Sequence, residues 1–313
     1  MAESETYIEN IHFSSHEEFI RQLLFGELRQ TLEDYIFRGI GLEDYGLIPS
    51  VLRKNSQEGL QIKIFGKRAV DTYYCKKPEL ESYQQNLEFS MLYEFYRLCD
   101  LHGLAVPNCP MLNKTSRSLS SLELNHSEFI DSWIPKELCE LAVLAQHYGI
   151  PTRLLDWTRD IFTAIFFATI GGLNEGVFGA DKNVVIWALN LSYIDYIHLQ
   201  KRNFPLKSFI PAYNSNPNLQ AQSGVLTLWE TKKAFNSNAQ IDRRPLDLQL
   251  IEELKSSGTE PFQFPFFYKI TLPHSELKSL LKVLDTLNYS ESKNFPGYDG
   301  VAKRVMNNLY RMP

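Results

Sequence analysis

No stretch of this 313-residue chain reaches the roughly 18 to 20 consecutive apolar residues that a membrane-spanning helix needs. Cysteine is scarce. The four present, Cys75, Cys99, Cys109 and Cys139, form no CxxC pair, so the spacing of a structural zinc site is missing. Free thiols in a reducing compartment are the plain reading. The seven histidines make no HExxH or HxH arrangement, and there is no Walker loop, no GxGxxG and no GxSxG. Excess positive charge is also missing. A net charge of −5 argues against a broad basic nucleic-acid surface, though not against a local basic channel. Met1 to Asn10 is polar and acidic, unlike a signal or transit peptide, so a cytoplasmic protein is expected.

What is present concentrates in two places. Phe37-Arg38-Gly39 closes a short β-rich run, and about a hundred residues later comes Gln146-His147-Tyr148-Gly149-Ile150-Pro151-Thr152-Arg153-Leu154-Leu155-Asp156-Trp157-Thr158. An imidazole, a phenol, a guanidinium, a carboxylate and an indole within thirteen positions are more than packing calls for. The run reads as a functional turn between two buried helices.

The periodicities around these runs give an α+β protein. Ser15-His16-Glu17-Glu18 has the form of a capping box before a helix. Leu80, Tyr83, Leu87, Met91, Phe95, Leu98 and Leu101 mark an amphipathic helix over about 79–102, and Leu138 to Tyr148 another, ended by Gly149 and Pro151. Thr158 can cap the next, over 161–170, which is apolar on every face and therefore buried. Later segments read as strands: 183–189, 223–229 and 266–272. The expected arrangement is a helical N-terminal half packed on a mixed or antiparallel sheet. It forms one domain over 1–313 with a short tail at 1–10 and an irregular insertion at 108–132.

Each candidate residue has a chemical reading and a structural one. A guanidinium at Arg38 can clamp a phosphate or carboxylate, and Gly39 lets a ligand approach the backbone; alternatively Arg38 pairs with a nearby carboxylate. His147 and Tyr148 lie in the last turn of a helix, where the dipole favours a protonated imidazole, or they cap carbonyls. Arg153 and Asp156 could pair with each other, or present Thr152, Arg153, Trp157 and Thr158 to a ligand. Gln222 starts a strand bordering a cleft or faces solvent; an amide donates and accepts but is no general base. Lys63 to Lys77 is basic and aromatic, a solvated loop or a surface that stacks on single-stranded nucleic acid.

The chain resembles the FRG-domain family in Phe37-Arg38-Gly39, in Leu47 to Arg53, in the 146–158 run with Ala164 to Ala168, in Ala221 to Thr227, in Leu272-Pro273 and in Asn294 to Gly300. It has a more distant likeness to ADP-ribosyltransferases of the arginine-serine-glutamate type. These carry an aromatic-Arg-Gly strand, a second strand followed by a helix, and a late strand beginning at a catalytic Glu. Here Phe37-Arg38-Gly39, Asp156-Trp157-Thr158 and Gln222 come in that order. The resemblance implies an ADP-ribosyltransferase-like core in which Arg38 holds a phosphate of NAD. Trp157 and Thr158 would frame the nicotinamide ribose, with His147, Tyr148 and Arg153 shaping the cleft. Gln222 stands at the Glu position. It keeps a hydrogen bond but loses a charge effect of about 3 kcal/mol. Either Asp156 supplies the carboxylate or the domain binds a nucleotide without turnover.

The expectation is an NAD-dependent ADP-ribosyltransferase-like effector of bacterial toxin or phage-defence type. It would modify a macromolecular acceptor, protein or nucleic acid, and work beside an antitoxin or regulatory partner, with no membrane and no metal. The rivals are a non-catalytic nucleotide or nucleic-acid binding module and a metal-dependent nuclease using Asp156 and His147.

Overall fold

The computed structural model describes residues 7–53, 79–113, 132–176, 182–201, 203–211, 217–232, 234 and 238–311. The chain runs β1 (Ile8–His12), α1 (His16–Phe25), β2 (Tyr35–Ile40), α2 (Glu81–Leu101), β3 (Ser132–Trp133), α3 (Lys136–His147), β4 (Leu154–Thr158) and α4 (Ile161–Asn174). Then follow β5 (Asn183–Asn190), α5 (Leu191–Gln200), β6 (Leu206–Phe209), α6 (Pro217–Ala221), β7 (Gly224–Trp229) and β8 (Thr231–Lys232). The described chain closes with α7 (Leu246–Ser256), β9 (Phe267–Pro273), α8 (Leu277–Thr286), α9 (Glu291–Asn294) and α10 (Tyr298–Met306).

Seven strands make one mixed sheet in the order β1-β9-β5-β2-β4-β7-β6; β3 and β8 pair separately. The β1–β9 pair is parallel and the other neighbours are antiparallel. The α+β class therefore stands. The N-terminal half is less helical than its periodicity implies, because β1, β2 and β4 all belong to the sheet. β1 begins inside the stretch read as a tail, with Ile8 opposite Phe267. Of the 108–132 stretch, Pro110–Asn113 is a short helix and Ser132 opens β3; 114–131, like the basic-aromatic 63–77, lies outside the described residues.

The 146–158 run is half turn, half strand. Gly149, at φ +88°, and Pro151 end α3, and the backbone then extends into β4. Only seven residues, 152–158, separate that turn from the break at Arg159, too few for a helix stable on its own. As a strand, 154–158 is paired along its length with β7. The next helix is capped by Asp160 rather than Thr158: its Oδ1 accepts from Phe162 N at 3.0 Å.

Alternation on the strands sorts the core. Tyr35 and Phe37 of β2, with Val184, Ile186 and Ala188 of β5, face α1, α4 and α8. Leu155, Trp157, Val185, Trp187 and Leu189 face the opposite way, towards α5 and α7. Leu154, Leu226 and Leu228 lie on the same face as Phe37 but pack under α3 and Phe89 of α2. One face of one sheet thus carries two apolar clusters side by side, one beneath α4 and one beneath α3. The strip between them holds Phe37, Asp156 and Thr158. That strip is where a cleft forms.

Candidate active site

β2 and β4 share a single register pair, Phe37 with Thr158. Beyond it they part, and Arg38 spans the opening: its Nη1 donates to the carbonyl oxygen of Asp156 at 2.6 Å and stands 3.9 Å from Asp156 Oδ2. Its Nε is buried and has no hydrogen-bond partner among the described residues. Burial lowers the pKa of this guanidinium, Asp156 works against that, and the nearby Arg53 adds repulsion.

Asp156 is the exposed member of an otherwise buried strand. Its Oδ1 accepts from Gln146 Nε2 at 2.6 Å, and Gln146 Oε1 in turn accepts from Thr152 Oγ1. The last helical turn of α3 therefore aims the carboxylate. Thr158 Oγ1 donates to Gln222 O at 2.6 Å and accepts from Asp160 N at 2.9 Å, which ties the end of β4 to the turn before β7. The side chain of Gln222 is fixed as well, donating from Nε2 to Asn294 O at 2.9 Å.

Arg38, Asp156, Thr158, Gln222 and His147 all border one cleft of about 450 Å³, within the size range of small-molecule sites. Phe37, Phe167, Phe295, Tyr45 and Trp157 supply aromatic walls, and Arg53 a second guanidinium. Asp156 is the one carboxylate among the described residues that line it. The cleft offers cationic forks, planar apolar surfaces, two amides and one acid. That set suits an anionic ligand with a flat ring.

Several residues chosen from the sequence have other duties. Arg153 is a core residue: its Nε bonds both carboxylate oxygens of Glu88 at 2.9 and 2.7 Å, and its Nη2 lies 2.6 Å from Glu81 Oε1. Burial opposes the charge of Arg153, but Glu88 and Glu81 more than offset it, so its pKa is raised. It does not pair with Asp156. Thr152 is buried and serves Gln146 and the Leu154 amide, 3.1 Å from its Oγ1. Tyr148 points into solvent at 71% exposure and is not part of the lining. Trp157 forms a wall from behind, its indole Nε1 held by Thr227 Oγ1 at 2.8 Å.

Gly39 also differs from expectation. A Cβ there would stand 1.9 Å from Ala164 O, so the space a side chain would fill belongs to α4. The glycine lets the helix approach, and its backbone also lines the cleft. His147 reverses its expected titration. Burial and the charge of Lys303 hold its pKa below the usual value, although Asp156 and Asp299 pull the other way, and its Nε2 meets Asn218 Nδ2 at 2.8 Å.

Residues 33–175 match the family model of the FRG domain. Over that segment the chain is similar to FRG domains, as its Phe37-Arg38-Gly39 and 146–158 runs imply. Comparison with curated proteins gave no match, and neither did comparison with solved structures. The FRG match covers β2, α2, α3, β4 and α4 and ends before Gln222, so the cleft is finished by chain outside it. That outer part includes residues with no role assigned from sequence. Asn294 is fully buried and holds Gln222, while Phe295 faces the cleft under Lys303 Nζ, 3.7 Å from its ring centroid. Arg53 and Tyr45 were equally silent, sitting in loops with no periodicity. Gln146 could have been singled out, since a second amide-bearing residue heads the most unusual run of the chain.

Among the described residues, no three His, Cys, Asp or Glu side chains group as metal ligands, and no helix is long and apolar enough to cross a membrane.

Proposed function

We propose that the cleft binds NAD and that the protein is an ADP-ribosyltransferase-type enzyme, a cytoplasmic bacterial effector of toxin or phage-defence kind acting on a macromolecular acceptor. The observation that supports this reading is the convergence of Arg38, Asp156 and Gln222 on one cleft from three separate parts of the chain. Arg38 and Arg53 take the pyrophosphate; a guanidinium fork with an unused buried donor is suited to a bidentate anion. Gln222, held by Asn294, bonds a ribose hydroxyl. Asp156, steadied by Gln146, faces the positive charge that develops at ribose C1′ as its bond to the nicotinamide nitrogen breaks. Nicotinamide leaves with the bonding pair, an acceptor nucleophile bonds C1′, and its proton passes to Asp156. An antitoxin or regulatory partner fits an effector of this kind.

A second reading, nucleotide binding without turnover, is favoured by one fact: the side chain at the late-strand position is a neutral amide already committed to Asn294 O. A metal-dependent nuclease built on Asp156 and His147 has less support, because Asp156 contacts an amide and the Arg38 guanidinium rather than further ligands.

The deciding experiment is nicotinamide release and label transfer from labelled NAD with cell lysate as acceptor, wild type beside Arg38→Ala and Asp156→Asn. Release and transfer in the wild type, lost in both folded variants, support the transferase. An NAD-dependent rise in melting temperature without release, absent in Arg38→Ala, would replace it by the binding module. No effect of NAD in either assay removes the dinucleotide from consideration.

A further inference from the structure

A second cavity, of about 390 Å³, shares Phe37 with the cleft. Leu23 of α1, the 29–33 segment and the junction of β4 with α4 surround it. It adjoins the Gln222 end of the cleft, because Arg159 N donates to Ser223 O at 3.1 Å. Two guanidiniums border it, Arg29 and Arg159. Both residues are exposed, and neither side chain has an ion-pair or hydrogen-bond partner among the described residues. Asp160, the nearest carboxylate to Arg159 in sequence, is already spent on the α4 cap, on Thr163 Oγ1 at 3.1 Å and on Lys293 at 3.6 Å. Gln30 and Glu33 complete the polar side of the rim, and Leu23, Leu32 and Ile161 the apolar side.

We propose that this cavity is a nucleic-acid subsite that takes one phosphate-bearing nucleotide of a single strand. The phosphate lies between Arg29 and Arg159, and the base edge meets Glu33 and Gln30. Arginine forks match phosphate oxygens two by two. A carboxylate and an amide are the groups that accept from the exocyclic amines of bases. An acidic peptide would satisfy the arginines but leave Glu33 facing like charge, on a protein already at −5. A nucleotide satisfies both kinds of group. The cavity has room for one nucleotide, not a duplex. Where the cleft is the transferase site, this subsite holds the acceptor; that role rests on the reading above, while strand binding does not.

The test is fluorescence anisotropy of a labelled single-stranded oligonucleotide with the intact protein across a salt series, for wild type, Arg29→Ala/Arg159→Ala and Lys278→Ala/Lys282→Ala. The last pair removes two exposed charges from α8, so both variants change net charge equally. The expected result is at least a tenfold weaker complex for the arginine variant and wild-type affinity for the lysine variant. The slope of log affinity against log salt should fall by about 1.4 for two lost phosphate contacts on a single strand. Equal losses in the two variants, no binding by wild type, or displacement of the strand by polyglutamate as readily as by unlabelled strand would each overturn the proposal. An NAD melting shift, measured on the same proteins, reports separately on the cleft. Its absence alongside arginine-dependent strand binding would remove the transferase reading and leave this subsite standing.

Discussion

Arg153 and Arg38 lie against the same strand, β4, yet their surroundings are opposites. Arg153 sits at its entry with two carboxylates and a threonine around it. Glu88 is itself bonded by Gln84 at 2.6 Å and by the Trp133 indole at 2.6 Å, and Glu81 by Gln85 at 2.9 Å. Arg38 meets one carbonyl and a distant, solvent-facing carboxylate, and its buried Nε has no partner, whereas Arg153 Nη2, though it makes no well-aligned hydrogen bond, stands 2.6 Å from Glu81 Oε1. A buried charge surrounded by matched acceptors holds secondary structure together; here it joins α2 to β4 and β8. A buried charge with surplus donors is one that a ligand could satisfy. The contrast distinguishes a fold residue from a site residue, although the two arginines look alike in the sequence.

The sharpest way to break the comparison is to truncate both. Arg153→Ala leaves Glu81 and Glu88 buried without their cation, and removing one partner of such a group costs about 3–5 kcal/mol. Urea unfolding should show that loss, or the protein should fail to accumulate. Arg38→Ala strands only an exposed carboxylate and one carbonyl, a loss of about 1 kcal/mol. If Arg38→Ala proves the more destabilising of the two, the division between them is wrong.

Gly39→Ala comes next in size and separates packing from ligand approach. The added methyl would drive into Ala164 O and Ala168 N, so β2 and α4 must shift apart, at about 1–3 kcal/mol. A variant of unchanged stability that has lost only ligand binding would restore the reading of Gly39 as a ligand-facing residue.

The physical reasons decide what could be seen in the sequence. Helices α2, α3 and α4 were visible because their apolar positions repeat at helical spacing or fill the whole surface. Strands β5, β7 and β9 were visible as short β-branched and aromatic runs. β4 was hidden: Leu154, Leu155 and Trp157 are all buried, on two different faces, so no alternation shows. Arg153 was misjudged for a related reason. Its partners lie 65 and 72 positions earlier, at Glu88 and Glu81, on a helix whose apolar stripe gives no hint that two carboxylates also turn inward. Arg38, Asp156 and Gln222, which the fold brings to one cleft, stand out in the sequence because polar groups at the edge of apolar runs are conspicuous. Asn294 and Phe295 were not assigned, since a residue that acts by closing a wall carries no chemical signature until the wall exists.

The smallest effect concerns the other polar group of the cleft whose behaviour was inverted. His147 binds its proton less readily in the folded protein than the usual 6.5, because burial and Lys303 outweigh Asp156 and Asp299. Between that lowered value and 6.5 the unfolded chain carries more protons than the folded one, so stability rises with pH there and is lost as the solution is acidified through the window. A histidine whose pKa had been raised would give the opposite slope. Urea unfolding at pH 7.5 and 5.5 should therefore show a smaller acid loss for His147→Gln than for wild type. The difference would be modest, since other groups titrate over the same range and cancel in the comparison. A larger acid loss in the variant would mean that the carboxylates and the end of α3 control this imidazole. The cleft would then gain another cation beside Arg38 more readily as the pH falls, and its preference for anionic ligands would strengthen on acidification.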